Sequence, residues 1–178
     1  MLGQDIVILL KLAIEPHKNL PAKQLADELF LPASDVSRAL QRCQQSGLLY
    51  RSDMEKRVNR QGLVEFVAHG LRYVFPPERG GLERGLPTAA SIGPLKSLFV
   101  ENVEPPFVWP YAEGTMRGQS LAPLYKGAPR AALRDARLYE LMALCDSVRV
   151  GRNRERNLAL EKISKELVDH DRSQSTAS

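Results

Sequence analysis

Apolar and polar positions follow a helical period over the first third of the chain, and the pattern then changes character twice. Residues 6–14 are apolar nearly all round: Ile6, Leu9, Leu10 and Ala13 line one face, and Val7, Ile8, Leu12 and Ile14 fill much of the rest. Such a helix needs burial on more than one side. Its second face packs either inside its own domain, or on a partner subunit or the C-terminal helices. Next, Leu25, Ala26 and Leu29 share a face while Lys23, Gln24, Asp27 and Glu28 stay in water, and Pro21 suits the first helical position. Pro32 disfavours continuing that helix, and Ser34 is a natural N-cap for another. In this second helix Val36, Ala39, Leu40 and Cys43 form the apolar stripe, and Gly47 fits the left-handed position that stops it. Residues 48–51 and 56–58 can then pair as two short strands around a loop at 52–55.

The opposite face of the second helix carries Ser34, Ser37, Arg38 and Gln41, with Arg42 and Gln45 beside it. Arg and Gln near a helix N-terminus make bidentate contacts with base edges in a major groove. Between residues 36 and 60 six basic side chains (Arg38, Arg42, Arg51, Lys56, Arg57 and Arg60) meet only Asp53 and Glu55, and counting Asp35 leaves a local +3. Such a local excess is what phosphate binding draws on, although acidic Asp53 and Glu55 at the tip of the strand pair oppose it. An ordinary amphipathic helix pair used for protein contacts gives the same periodicity.

The run from Leu20 to Leu49, with its Leu-Ala pair and its Val-Ser-Arg-Ala-Leu helix, resembles the helix-turn-helix of winged-helix regulators, particularly the MarR family, over residues 5–59. The resemblance implies a double-stranded DNA partner. Ser34, Ser37, Arg38 and Gln41 would read bases, and Arg42, Arg51, Lys56, Arg57 and Arg60 would hold the DNA backbone. It also implies a homodimeric transcription regulator, a repressor that acts by occupying a promoter in the cytoplasm.

Beyond the strand pair, residues 61–75 read as a helix weakened by Gly62 and Gly70 and ended by Pro76 and Pro77. Residues 76–130 then hold nine of the twelve prolines and seven of the twelve glycines, which excludes regular helix over most of that length. The same stretch holds Leu95, Leu98, Phe99, Val100, Leu121, Leu124 and Tyr125, so it needs a surface to bury against. The expectation is an irregular arm with one helix near residues 94–100. Phe107, Trp109 and Tyr111 fall on one side of an extended segment, as candidate partner or ligand contacts or as staples holding the arm to the body.

Helix returns at the C-terminus. Asp135 caps a helix to Val150 with Leu138, Leu141, Met142, Cys145 and Val148 on its apolar face; Gly151 ends it, and a second helix runs over residues 153–168. Arg149, Arg152, Arg154 and Arg156 meet only Glu155, a candidate basic patch for nucleic acid or an acidic partner, or simply a solvated helix start.

These elements give a mainly α chain: a winged helix-turn-helix with a small hairpin wing (residues 1–75), a Pro/Gly-rich arm (76–130), a C-terminal helical hairpin (131–170) and a polar tail (171–178). The net charge of +4 fits a nucleic-acid partner without requiring one. Cys43 and Cys145 both lie on apolar stripes and read as packed rather than reactive. His17, His69 and His170 show no metal-ligand spacing, and no phosphate-loop, dinucleotide or nucleophile-elbow motif occurs, so no catalytic residue, metal or cofactor is expected. The apolar run at residues 6–14 is too short to span a bilayer, so no membrane role is expected. The alternative to a DNA-binding regulator is an interaction module, an antitoxin or adaptor subunit, whose arm and C-terminal helices bind a partner protein.

Overall fold

The computed structural model describes residues 1–15, 19–52, 55–96 and 105–169. His17, Asp53, Leu98, Phe99, Val100, His170 and the tail at 171–178 lie outside the described residues, as does most of the helix expected at 94–100.

The nearly all-apolar first run forms α1 (Gly3–Ile14), in which residues 5–14 are all buried. One side packs on α3 (Ala33–Gln45) and the other on α8 (Ala136–Val150), so the C-terminal helices cover its second face. Helix α2 (Ala22–Leu29) ends with Phe30 in the left-handed region at φ 53°. The Phe30 ring lies against the guanidinium groups of Arg130 and Arg134, at 4.0 and 4.3 Å. Pro21 is the N-cap of α2 rather than its first helical residue.

Helix α3 begins two residues sooner than the Ser34 cap predicts. Pro32 is its N-cap, extended at ψ 140°, and the Pro32 carbonyl already accepts the Asp35 and Val36 N–H groups at 2.9 and 3.1 Å. Proline can occupy this boundary because the helix makes no use of an N–H there. Gly47, at φ +73°, turns the chain out of α3 as expected. The wing follows as β1 (Leu49–Arg51) and β2 (Lys56–Val58), antiparallel with Tyr50 opposite Arg57. The helix expected at 61–75 is interrupted at Gly70, giving α4 (Arg60–His69) and α5 (Leu71–Val74).

Among the described residues, part of the Pro/Gly-rich arm is regular rather than irregular. Strands β3 (Arg79–Pro87), β4 (Phe107–Pro110) and β5 (Met116–Leu121) each pair with both others and close a small three-stranded barrel. Strand β3 runs antiparallel to both neighbours, while β4 and β5 are parallel. Two of its positions have room only for glycine: a Cβ at Gly85 would collide with the Trp109 carbonyl, and one at Gly118 with that of Pro106. The residues that argue against regular structure in the sequence are therefore what let three strands close so tightly.

A short helix, α6 (Gly93–Lys96), precedes β4, and α7 (Ala128–Arg134) spans the expected boundary at residue 130. Asp135 caps α8 by accepting the Leu138 N–H at 3.0 Å. Gly151 ends it, and α9 (Asn153–Ser164) returns against α8 and α4 before a π turn at Lys165–Asp169. One contiguous core joins α1, α3, the wing, α8, α9 and the barrel residues Leu86 and Trp109.

Candidate nucleic-acid interface

Helix α3 divides cleanly. Val36, Ala39, Leu40 and Cys43 are fully buried, while Ser34, Ser37, Arg38 and Gln41 are exposed on the far side. The apolar stripe fixes the helix against α1 and α2, and so decides which side chains are offered to solvent. Arg38 is two-thirds exposed and its guanidinium is held by the neighbouring Asp35 carboxylate, one turn nearer the helix start. An exposed pair of this kind contributes little to stability and orients the arginine at little cost.

The wing adds positive charge beside this face. Arg51 and Arg57 are exposed, and the Arg57 guanidinium rests 5.5 Å from the centre of the exposed Tyr50 ring. Lys56 is half-buried and its Nζ donates to Asn19 Oδ1 at 2.7 Å; burial, with the nearby Arg51 charge, pulls its pKa below the ordinary lysine value. Glu55 is exposed at the loop, and its backbone N–H donates to Ser52 Oγ at 3.1 Å.

Two of the basic residues expected on phosphate are turned into the fold instead. Arg42 grips Asp5 of α1 with both ends, Nε to Oδ2 at 2.8 Å and Nη2 to Oδ1 at 2.7 Å. The Asp5 side chain has no solvent exposure, and its hydrogen bonds to Arg42 raise the arginine pKa above normal. Arg60 donates to the backbone carbonyls of Ala13 and Leu167, both at 2.8 Å, tying α1 to the π turn at Lys165–Asp169. The physical reason is the same in both cases. Each arginine leaves its helix beside a buried acceptor, and a buried acceptor left short of donors is costly.

The two other candidate patches change in the same way. Trp109 is 1% exposed, its Nε1 donates to the buried Asp146 Oδ2 at 2.6 Å, and its ring lies 5.7 Å from that of Tyr139. It staples the barrel to α8 and is not a surface anchor. Phe107 and Tyr111 are half-buried. Of the four arginines at 149–156, Arg149 is buried and bonds Asp146 Oδ1 at 2.7 Å together with the carbonyls of Phe75 and Ala122. Arg156 turns to the Ala68 carbonyl at 2.8 Å, leaving Arg152 and Arg154 exposed. The sequence offered a signal for Asp146, an acidic residue on the apolar side of a predicted helix, but none for its partners Thr88 and Trp109.

Both cysteines are buried, and burial raises each thiol pKa to about 12, so neither supplies a thiolate near neutral pH. Among the described residues no helix is long and apolar enough to cross a membrane.

No curated protein and no solved structure matches this chain. The MarR family model matches residues 1–58, the segment from α1 through the end of the wing, so what the chain shares with that family is its N-terminal winged helix-turn-helix.

Proposed function

We propose that the chain is a sequence-specific DNA-binding transcription regulator, a repressor that works as a homodimer by occupying its site. One observation carries this reading: the polar face of α3 stands in solvent beside a basic wing, while the other face is locked into the core of a MarR-type segment. Ser34, Ser37, Arg38 and Gln41 then meet base edges, and Arg51, Lys56 and Arg57 meet phosphates. Arg42 and Arg60 act indirectly, by holding α3 and α4 on α1.

The experiment is a binding titration of the purified chain against duplex from its own upstream region and against random duplex, over a salt series. Tight binding to one sequence with two protomers per site supports the proposal. Equal and steeply salt-dependent binding to both duplexes overturns it, because phosphate contact alone carries no sequence information.

A further inference from the structure

Helix α7 brings basic side chains to the helix-turn-helix from outside the segment matched to the MarR family. It packs on the end of α2. Tyr125, just ahead of α7, donates its hydroxyl to the Leu29 carbonyl at 2.9 Å, and Arg134 Nη1 donates to the Asp27 carbonyl at 3.0 Å. Beside these two ties stands Phe30, which turns the chain out of α2 toward α3. Its φ of 53° lies where glycine is favoured and a bulky side chain is strained. Arg130 and Arg134 both lie against its ring, their guanidinium carbons 4.0 and 4.3 Å from the ring centre. Both arginines are exposed, as is Lys126 ahead of them. Three carboxylates lie nearby. Glu28 and Asp135 share a recess with Arg134 and are engaged there by Lys11, at 2.9 and 2.7 Å, while Asp27 is exposed.

We propose that α7 is a second DNA-contacting element, whose Lys126, Arg130 and Arg134 hold the phosphate backbone of the duplex that α3 reads. The inference rests on the DNA reading and extends its footprint to residues far from the winged helix in the chain. A recognition helix meets base edges with its N-terminal residues. Phe30 precedes that end of α3, so the arginines on its ring stand beside the part of the helix that enters the groove. Stacking occupies the face of a guanidinium and leaves most N–H donors on its rim open, which suits contact with a phosphate. Two like charges held against one ring also repel each other, and a phosphate between them turns that repulsion into attraction. The wing is attached past Gly47, beyond the other end of α3, so α7 and the wing grip the backbone from the two ends of the reading helix.

The test is fluorescence anisotropy of the full chain with labelled duplex from its own upstream region and with random duplex of equal length, each over a salt series. Phosphates carry no sequence, so the slope on random duplex tests α7 even where the chain prefers no site. Arg130→Gln/Arg134→Gln should reduce the slope of log affinity against log salt by about 2 on both duplexes, and keep the ratio of the two affinities within about twofold. Arg130→Lys/Arg134→Lys, which keeps the charges and loses the flat stack, should hold the slope within about 0.5 of the unaltered chain. A glutamine variant whose slope stays within about 0.5 of the unaltered chain overturns the inference and leaves the DNA reading standing. Equal loss of slope in the glutamine and lysine variants does the same, because the arginines then only staple Phe30 in place. No binding of either duplex by the unaltered chain overturns both readings together. Thermal melts accompany each variant. If the glutamine pair does not fold, Lys126→Gln takes its place: a slope lower by about 1 supports the inference, and an unchanged slope overturns it.

Discussion

Two basic runs, residues 149–156 and residues 51–57, look alike as strings of letters, yet Arg149 of the first and Arg51 and Arg57 of the second end in opposite places. At the end of α8, Arg149 turns inward to Asp146 and to backbone carbonyls of two other segments. On the wing, Arg51 and Arg57 remain in solvent, one of them against an exposed tyrosine. Charge density along a chain therefore does not decide whether a basic residue meets a ligand. What decides is whether the fold leaves a buried acceptor within reach of it. Where such an acceptor exists the arginine becomes a strut, and where none exists its charge is available to something outside.

The sharpest way to break this contrast is to remove the inward strut. Arg149→Met leaves the Asp146 carboxylate buried without its cation, and should cost about 3–5 kcal/mol in urea or thermal unfolding. A loss under 1 kcal/mol would mean that the pair is dispensable and the run is a surface patch after all. Next in size is Arg42→Ala, which strands the fully buried Asp5 and should cost roughly 2–3 kcal/mol of stability. If the variant melts unchanged and loses affinity for random duplex, Arg42 belongs with the phosphate contacts.

Outward-facing residues should show the reverse signature. Arg38→Ala should leave stability within about 0.5 kcal/mol and weaken binding to its own site by about 1–3 kcal/mol, relaxing preference at one base pair. Equal weakening on operator and random duplex would take Arg38 off the base-reading face. Smallest of all, Arg51→Ala and Arg57→Ala should each reduce the slope of log affinity against log salt by about 1 and weaken every sequence alike. A change confined to one sequence would move either residue from backbone to base.

Legibility in the sequence tracked the kind of interaction that forms each element. The winged helix is readable because local periodicity and turn chemistry agree: the Val36–Cys43 stripe, the glycine after α3 and the two paired strands of the wing all appear where they are expected. The exposed reading face follows from the buried one, so Ser34, Ser37, Arg38 and Gln41 came out on the solvent side. The barrel was not readable. Its strands pair over long range, β3 has a run of six exposed residues with no apolar alternation, and its glycines serve close approach rather than turns. The destination of Trp109 was likewise hidden, because its partner Asp146 lies on a different element 37 residues on. The start of α3 differs for a smaller reason: Pro32 occupies the N-cap position without any side-chain hydrogen bond, so a capping side chain such as Ser34 does not mark the boundary.

Helix α1 bears a consequence for how the molecule comes apart. It is shared rather than owned, since α3 rests on one side of it and the C-terminal hairpin on the other. Cutting the chain after residue 75 would bare a continuous strip of Ile, Val and Leu to water and take Asp135, bonded at 2.7 Å, from Lys11, which would keep Glu28 at 2.9 Å. The winged helix and the C-terminal hairpin are therefore expected to melt together, as one transition in a thermal scan. Whatever loosens the C-terminal hairpin should reach α3 as lost order, carried through α1.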